Sequence, residues 1–305
     1  LQWYESNKVI GYYDIFFESL KDIFNFIDKL EILIKITIFM FDKINLNKNI
    51  NVVKAIFFLS DIRKKLDWNE EKTLGNNQVN SGLTSYKLTS NINCCLDNYI
   101  MIWRKEEMIK VYIHELIHYF KIDSKVKFDI NFESEFCLSS DVKILPNEAY
   151  TDFLAIILNS IIYSLIHVKN LQIMLKNDIK FSLFQTAKIL HYFKFKSWDD
   201  FKKKDCNFYL KQNSNVFPYF IIKSALLFNL DLTIKVFENI TFKKTYNFNL
   251  NSSKDNLKIL EDHIFFCLSD KKFIRNINYL LNIFDKINFK KNKSFLNTLK
   301  MTILE

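Results

Sequence analysis

The amino-acid sequence predicts an α+β fold that is predominantly helical, with a small sheet in the first part of the chain. Glycine and proline number only three and two among 305 residues, which favours long helices over a turn-rich β-sandwich. Apolar residues make up 49% of the chain and aromatic residues 16%, so a large core can be buried and the disordered class is excluded. After Ile166, apolar residues recur at the three- and four-residue spacing of helices.

Two lobes are expected, residues 1–123 and residues 124–305, and the second is expected to be helical throughout. The segments with helical spacing in the second lobe are 168–176, 180–194, 198–211, 218–238 and 255–285. In the first lobe, residues 12–45 are expected to form a helix, and the apolar run 51–59 a buried strand that leads into a short helix through Lys65.

The polar stretch 67–93 is expected to hold loops and short strands such as 84–89. The run 99–103 has the composition of a strand directly before a helix that starts near Lys105.

That helix carries the pattern H-E-x-x-H, at His114, Glu115 and His118. In a helix, His118 lies about 40° around the axis from His114, so that both imidazoles can bind one ion, with Glu115 on the flank of that face. A helix with two incidental histidines is the simpler alternative. An apolar stripe on the far side predicts that the helix packs against a core and presents its histidines to a cleft, and its members are Ile109, Ile113, Leu116, Ile117 and Phe120.

A second acidic pattern offers a third metal ligand. Pro146 suits the first turn of a helix, and Glu148 and Asp152 then lie one turn apart on one face. The apolar run that follows predicts a helix buried in a domain, where two carboxylates are costly unless a positive group meets them. The alternative is an ordinary helix N-terminus that favours acidic residues through its dipole.

Together the two patterns resemble the gluzincin metallopeptidases, the group that includes thermolysin and the zinc aminopeptidases. The resemblance implies a zincin-like first lobe with a small sheet and the H-E-x-x-H helix. It implies that Zn²⁺ is held by His114, His118 and Glu148, that Glu115 is the general base, and that Asp152 orients a ligand histidine.

The resemblance covers only about residues 100–160, and the segment between His118 and Glu148 is longer than is usual for the family. Glu133 and Glu135 within that segment are therefore rivals for the third ligand. Glu148 is preferred, because it alone is paired with a carboxylate one turn on and leads into an apolar helix.

The resemblance further implies a donor from the second lobe that stabilises the oxyanion of the reaction. Tyr219 is our first choice and His191 our second, whereas we interpret His167 and His263 as non-catalytic. An edge strand of the sheet is expected to pair with an extended peptide substrate, and both 81–89 and 99–103 are candidates. The predicted function is a zinc metallopeptidase, and the alternative is a catalytically inactive zincin-like structural or interaction protein.

The net charge of +9 permits nucleic acid or an anionic membrane as a partner, but the lysines are scattered and no nucleic-acid motif accompanies them. No specific nucleic-acid partner is therefore expected. The apolar run 153–166 is interpreted as a core helix rather than a membrane span, because Asn159 and Ser160 interrupt it. Five cysteines with neither a C-x-x-C pair nor an even framework predict a reducing, cytoplasmic compartment.

Overall fold

The structure is a computed structural model, and it describes residues 2–5, 8–44, 52–68, 73–85, 98–123, 130–203, 205–240, 254–287 and 296–304. It is mostly helical with a small mixed sheet, as the predicted α+β class requires. The chain divides into two compact units. The first draws its described residues from Leu1–Arg63 and Ser81–Ser124, and the second from Lys64–Asn80, Lys125–Ile240 and Asn251–Glu305.

The first unit contains a five-stranded mixed sheet. Its strands are β1 (Gln2–Glu5), β2 (Lys8–Phe17), β3 (Val53–Ser60), β4 (Gly82–Ser85) and β5 (Tyr99–Arg104). They lie in the order β1-β2-β3-β5-β4, with β2, β3 and β5 parallel and the two outer strands antiparallel to their neighbours. The strand predicted at 99–103 is confirmed. Among the described residues, strand β4 lies at the edge of the sheet, outside this strand.

Two helices of the first unit accompany this sheet, α1 (Leu20–Ile44) and α3 (Met108–Tyr119). Alternate side chains of β3 are buried, as expected for a strand with one face on a core. The hydroxyl of Tyr112 in α3 lies 2.7 Å from the hydroxyls of both Tyr13 in β2 and Thr37 in α1. This buried group of three hydroxyls connects α3 with the sheet and with α1.

Two predictions for the first part of the chain are wrong in detail. Residues 12–17 belong to β2 and not to a helix, and burial there alternates from Gly11 to Asp14 with the two-residue period of a strand. The short helix expected through Lys65 does not form, because residues 61–64 have no regular structure and Lys65 forms a β-bridge with Thr298. The strand expected at 84–89 is present only as β4, and residues 86–89 lie outside the described residues.

The second unit is mainly helical. Its helices are α2 (Asn76–Val79), α4 (Pro146–His167), α5 (Leu171–Tyr192), α6 (Trp198–Phe201), α7 (Lys223–Phe228), α8 (Leu230–Ile240), α9 (Lys254–Leu268) and α10 (Lys271–Phe284), with a 3₁₀ turn at Phe132–Ser134 and a π-helix at Phe217–Ile222. Strands β6 (Leu138–Ser140) and β7 (Leu210–Gln212) form a parallel pair.

The helices predicted in this unit are confirmed as a class, but the predicted segments are divided differently. The segments 168–176 and 180–194 are one helix, α5, and the segment 255–285 is two helices, α9 and α10. The segment 198–211 is not a single helix, because it holds only the short α6 and then the start of β7. A three- to four-residue apolar spacing persists across such breaks, so it does not mark them.

A disulfide joins Cys137 to Cys206, with the two Cα atoms 5.6 Å apart. It links the residue before β6 to the loop that leads to β7. The sequence does not predict this pair, because 69 residues separate its members and no short spacing marks it. Disulfides persist mainly in oxidising surroundings, and the predicted reducing compartment stays a prediction.

Among the described residues, helix α4 is long and apolar enough to cross a membrane by the criteria of length and composition alone. However, 56% of its most apolar window is buried inside the structure. A core helix meets the same criteria, so one such helix is weak evidence for a membrane span.

Candidate metal centre

Helix α3 carries the H-E-x-x-H pattern, as predicted. Its apolar stripe is confirmed, since all five members are buried, and the helix begins at Met108 rather than near Lys105. Glu107, directly before the helix, has a left-handed backbone (φ 58°) and is buried, a conformation that is uncommon for a residue other than glycine. His114 and Glu115 are only 7% and 5% exposed, so both side chains are largely withdrawn from water.

The two histidines face each other across one helical turn. Their Nε2 atoms are 3.1 Å apart, and the ring planes are inclined at 76°. Two nitrogen ligands at about 2.0–2.1 Å from a tetrahedral Zn²⁺ lie about 3.3 Å from each other. The spacing between His114 and His118 therefore fits two adjacent corners of such a site.

Asp123 fixes the tautomer of His118. Its Oδ2 atom lies 2.9 Å from Nδ1 of His118, and an ionised carboxylate can only accept a hydrogen bond. The hydrogen of the neutral ring must then be on Nδ1, which leaves the Nε2 lone pair available to a metal. Lys121, with a φ of 57°, turns the chain after α3, two residues before Asp123.

Glu115 is held by the edge strand. The Thr84 hydroxyl lies 2.8 Å from Oε2 of Glu115 and 2.9 Å from its backbone carbonyl, and it can donate to either oxygen. Gly82, two residues earlier on β4, faces the same carboxylate, because a Cβ built there would lie 3.0 Å from Oε1 of Glu115. The strand thus limits how the Glu115 side chain can be oriented.

In the second unit, α4 begins at Pro146 as predicted and carries Glu148 in its first turn. The Tyr219 hydroxyl donates to Oε2 of Glu148 over 2.9 Å. Tyr219 belongs to the π-helix Phe217–Ile222. π-Helices are rare in proteins, and those that occur are frequently found at functional sites. The structure therefore brings two of the predicted site residues together, the preferred third ligand and the first-choice donor.

Asp152, one turn after Glu148, is paired with a lysine. The Lys223 ammonium lies 3.1 Å from Oδ2 of Asp152, and the two side chains are only 1% and 0% exposed. The resemblance to gluzincins implies a histidine as the partner of Asp152, and that role stays a prediction. The carboxylate that orients His118 within the first unit is Asp123, which lies just after the helix and carries no pattern that identifies it.

The alternative candidates lie in other surroundings. His191 stacks on Phe284 with ring centroids 5.7 Å apart, and its Nδ1 is 3.4 Å from Asp285. Burial lowers the pKa of His191 below its usual value, although the charge of Asp285 opposes this. Glu133 and Glu135, the rival ligands, are exposed at the 3₁₀ turn.

The histidine pair and Glu115 belong to the first unit, whereas Glu148 and Tyr219 belong to the second. A comparison with models of protein families finds no match to this chain, and comparisons with curated proteins and with solved structures find none either.

Proposed function

We propose that this chain is a zinc-dependent metallopeptidase with a zincin-like first unit. The observation that carries the proposal is the His114–His118 pair, with its two Nε2 atoms 3.1 Å apart and Asp123 on the far nitrogen of His118. A histidine that binds a metal almost always donates its other ring N–H to a carboxylate, a backbone carbonyl or a water. A mixed sheet with an antiparallel edge strand beside the helix supports the zincin-like fold.

Glu148 is the proposed third ligand. Together with the histidine pair it would supply two imidazole nitrogens and one carboxylate oxygen as donors. Two histidines and one glutamate, with a fourth position left for water or substrate, is a donor set of catalytic zinc sites. The hydrogen bond from Tyr219 supports this assignment, because ligating carboxylates are themselves hydrogen-bonded.

Zn²⁺ bound there would supply Lewis-acid chemistry, lowering the pKa of a water and polarising the scissile carbonyl. Glu115 accepts the proton of the attacking water and then passes it to the leaving amine. Thr84 holds the Glu115 carboxylate, and β4, an outer strand of the sheet among the described residues, pairs with an extended peptide. Tyr219 is the proposed donor to the oxyanion, and it would have to exchange its bond to Glu148 for one to the substrate.

The test compares Glu115→Gln with wild type in hydrolysis of a broad peptide library, read by mass spectrometry. Glutamine keeps the size of the side chain but cannot accept the proton, so we expect a turnover loss on the order of 10²–10⁴-fold with zinc content unchanged. Glu133→Gln, which changes an exposed glutamate of the second unit, is the matched control and should retain full turnover.

A Glu115→Gln variant with wild-type turnover would exclude Glu115 as the general base. Bound zinc without hydrolysis of any peptide by the wild-type chain would favour the inactive zincin-like protein instead.

A further inference from the structure

Two helical segments of the second unit are joined by two successive side-chain contacts. Glu148 and Asp152 are four residues apart on α4, and Tyr219 and Lys223 are four residues apart across the junction of the π-helix and α7. Tyr219 contacts Glu148 over 2.9 Å, and Lys223 contacts Asp152 over 3.1 Å. The four residues therefore form a ladder with two rungs, one turn apart.

The lower rung, the Lys223–Asp152 pair, is deeply buried and contacted from several sides. The Lys223 ammonium also lies 3.3 Å from the backbone carbonyl of Met301 and 5.6 Å from the ring centroid of Phe220. Burying a charge without a partner is costly, so the ammonium and the Asp152 carboxylate are each stabilised by the other's presence. A buried pair of this kind fixes the separation and the register of the two segments that carry it.

The upper rung, the Tyr219–Glu148 pair, is only partly buried, and it contains the proposed metal ligand Glu148. The Tyr219–Glu148 hydrogen bond depends on the distance between the π-helix and α4. The Lys223–Asp152 pair, one helical turn further along both segments, sets that distance. A hydrogen-bond partner of a ligating carboxylate influences metal affinity by holding the carboxylate in one orientation.

We infer that Lys223 is a positioning residue, which acts through Asp152 to keep the Tyr219 hydroxyl on Glu148. This inference rests on the proposed function for its consequence, metal affinity, but the ladder itself is independent of any metal. It also gives Asp152 a role that does not require a histidine partner.

The first measurement is the Zn²⁺ dissociation constant, by competition with a chromophoric chelator, for wild type and for the double variant Lys223→Met/Asp152→Asn. Both charges are removed together, because removing one member of a buried ion pair is itself strongly destabilising. We expect affinity to fall on the order of 10-fold, the usual effect of losing a group that supports a ligand. The single variant Lys223→Arg, which keeps both charges of the pair, should retain most of the wild-type Zn²⁺ affinity.

Lys188→Met is the matched control. Lys188 is also a fully buried lysine of the second unit, and its ammonium donates to the carbonyl of Thr298, three residues before Met301. Its replacement should leave the Zn²⁺ affinity of the folded protein unchanged. Equal affinities for the double variant and wild type, with both folded by circular dichroism, would overturn the inference.

The second measurement needs no metal. Urea unfolding of the metal-free protein is followed for Tyr219→Phe, for the double variant and for all three changes combined. If the rungs depend on each other, the combined change costs less than the sum of the separate changes, because losing the lower rung has already weakened the upper one. Strictly additive costs would overturn the inference. A wild-type chain that binds no zinc would end the peptidase proposal, and this cycle would still decide whether the ladder exists.

Discussion

Gly82 is the residue at which the contact between β4 and α3 can be tested most sharply. Its backbone does not have a positive φ, so alanine is conformationally allowed there and only space is in question. A Cβ at Gly82 would lie 2.8 Å from Cγ1 of Val111 and 3.0 Å from both Cγ and Oε1 of Glu115. Val111 is buried and β-branched, so it cannot move aside easily, and Glu115 must shift.

Overpacking of this kind costs about 1–3 kcal/mol. We therefore expect Gly82→Ala to lower the free energy of unfolding in urea by that amount. Moving a reacting group by about 1 Å can cost roughly 10²-fold in rate, so a displacement of a few tenths of an ångström in Glu115 should reduce turnover of a cleaved peptide by about 10-fold. Zinc content should stay at the wild-type level, because the contact is with Glu115 and not with the histidines.

Gly75→Ala is the control. The Cβ added there would meet the amide end of the Asn213 side chain, which can rotate away, and Gly75 belongs to the second unit. It should leave turnover unchanged. A Gly82→Ala variant as stable and as active as wild type would show that β4 does not constrain Glu115.

Three further predictions concern other parts of the structure. Asp123→Asn removes the carboxylate behind His118 and should weaken Zn²⁺ binding about 10–100-fold in a chelator competition, whereas unchanged affinity would contradict this role. Tyr112→Phe removes one of three buried hydroxyls and should cost about 1–2 kcal/mol in urea unfolding, and a neutral effect would mean that the cluster does not stabilise α3. Burial lowers the pKa of Lys188 from 10.5 to about 7, so the unfolded chain holds more protons between those values and stability should rise with pH there. Compared with Lys188→Met, wild-type stability measured in urea should increase more steeply, by up to about 1.4 kcal/mol per pH unit, and equal slopes would argue against this pKa.

The parts of the molecule that could be predicted from sequence are those with a local cause. The stripe opposite His114 places five apolar residues on one face of a helix, and Pro146 marks a helix start, so α3 and α4 were both found. The strand at residues 12–17 was missed because its apolar side chains continue without a break into α1. A short apolar run of this kind fits the two-residue period of a strand as well as the 3.6-residue period of a helix.

The partners of the site residues could not be predicted, because each depends on a contact distant in sequence or on backbone geometry. Thr84 reaches Glu115 across 31 residues, and Lys223 reaches Asp152 across a still larger separation. Asp123 is near His118 in sequence, but a left-handed residue precedes it, and nothing in the pattern signals that turn. A sequence pattern therefore indicates the reactive groups, whereas the groups that orient them become visible only in the folded chain.

The proposed metal centre is tested by the zinc content of the purified protein, measured by elemental mass spectrometry for wild type and Glu148→Ala. Glu135→Ala, which changes a rival carboxylate at the exposed 3₁₀ turn, is the control. We expect one zinc per chain in wild type and in Glu135→Ala, and loss or marked weakening of zinc binding in Glu148→Ala. A wild-type chain without zinc even after reconstitution, or a Glu148→Ala variant with wild-type zinc affinity, would contradict this expectation.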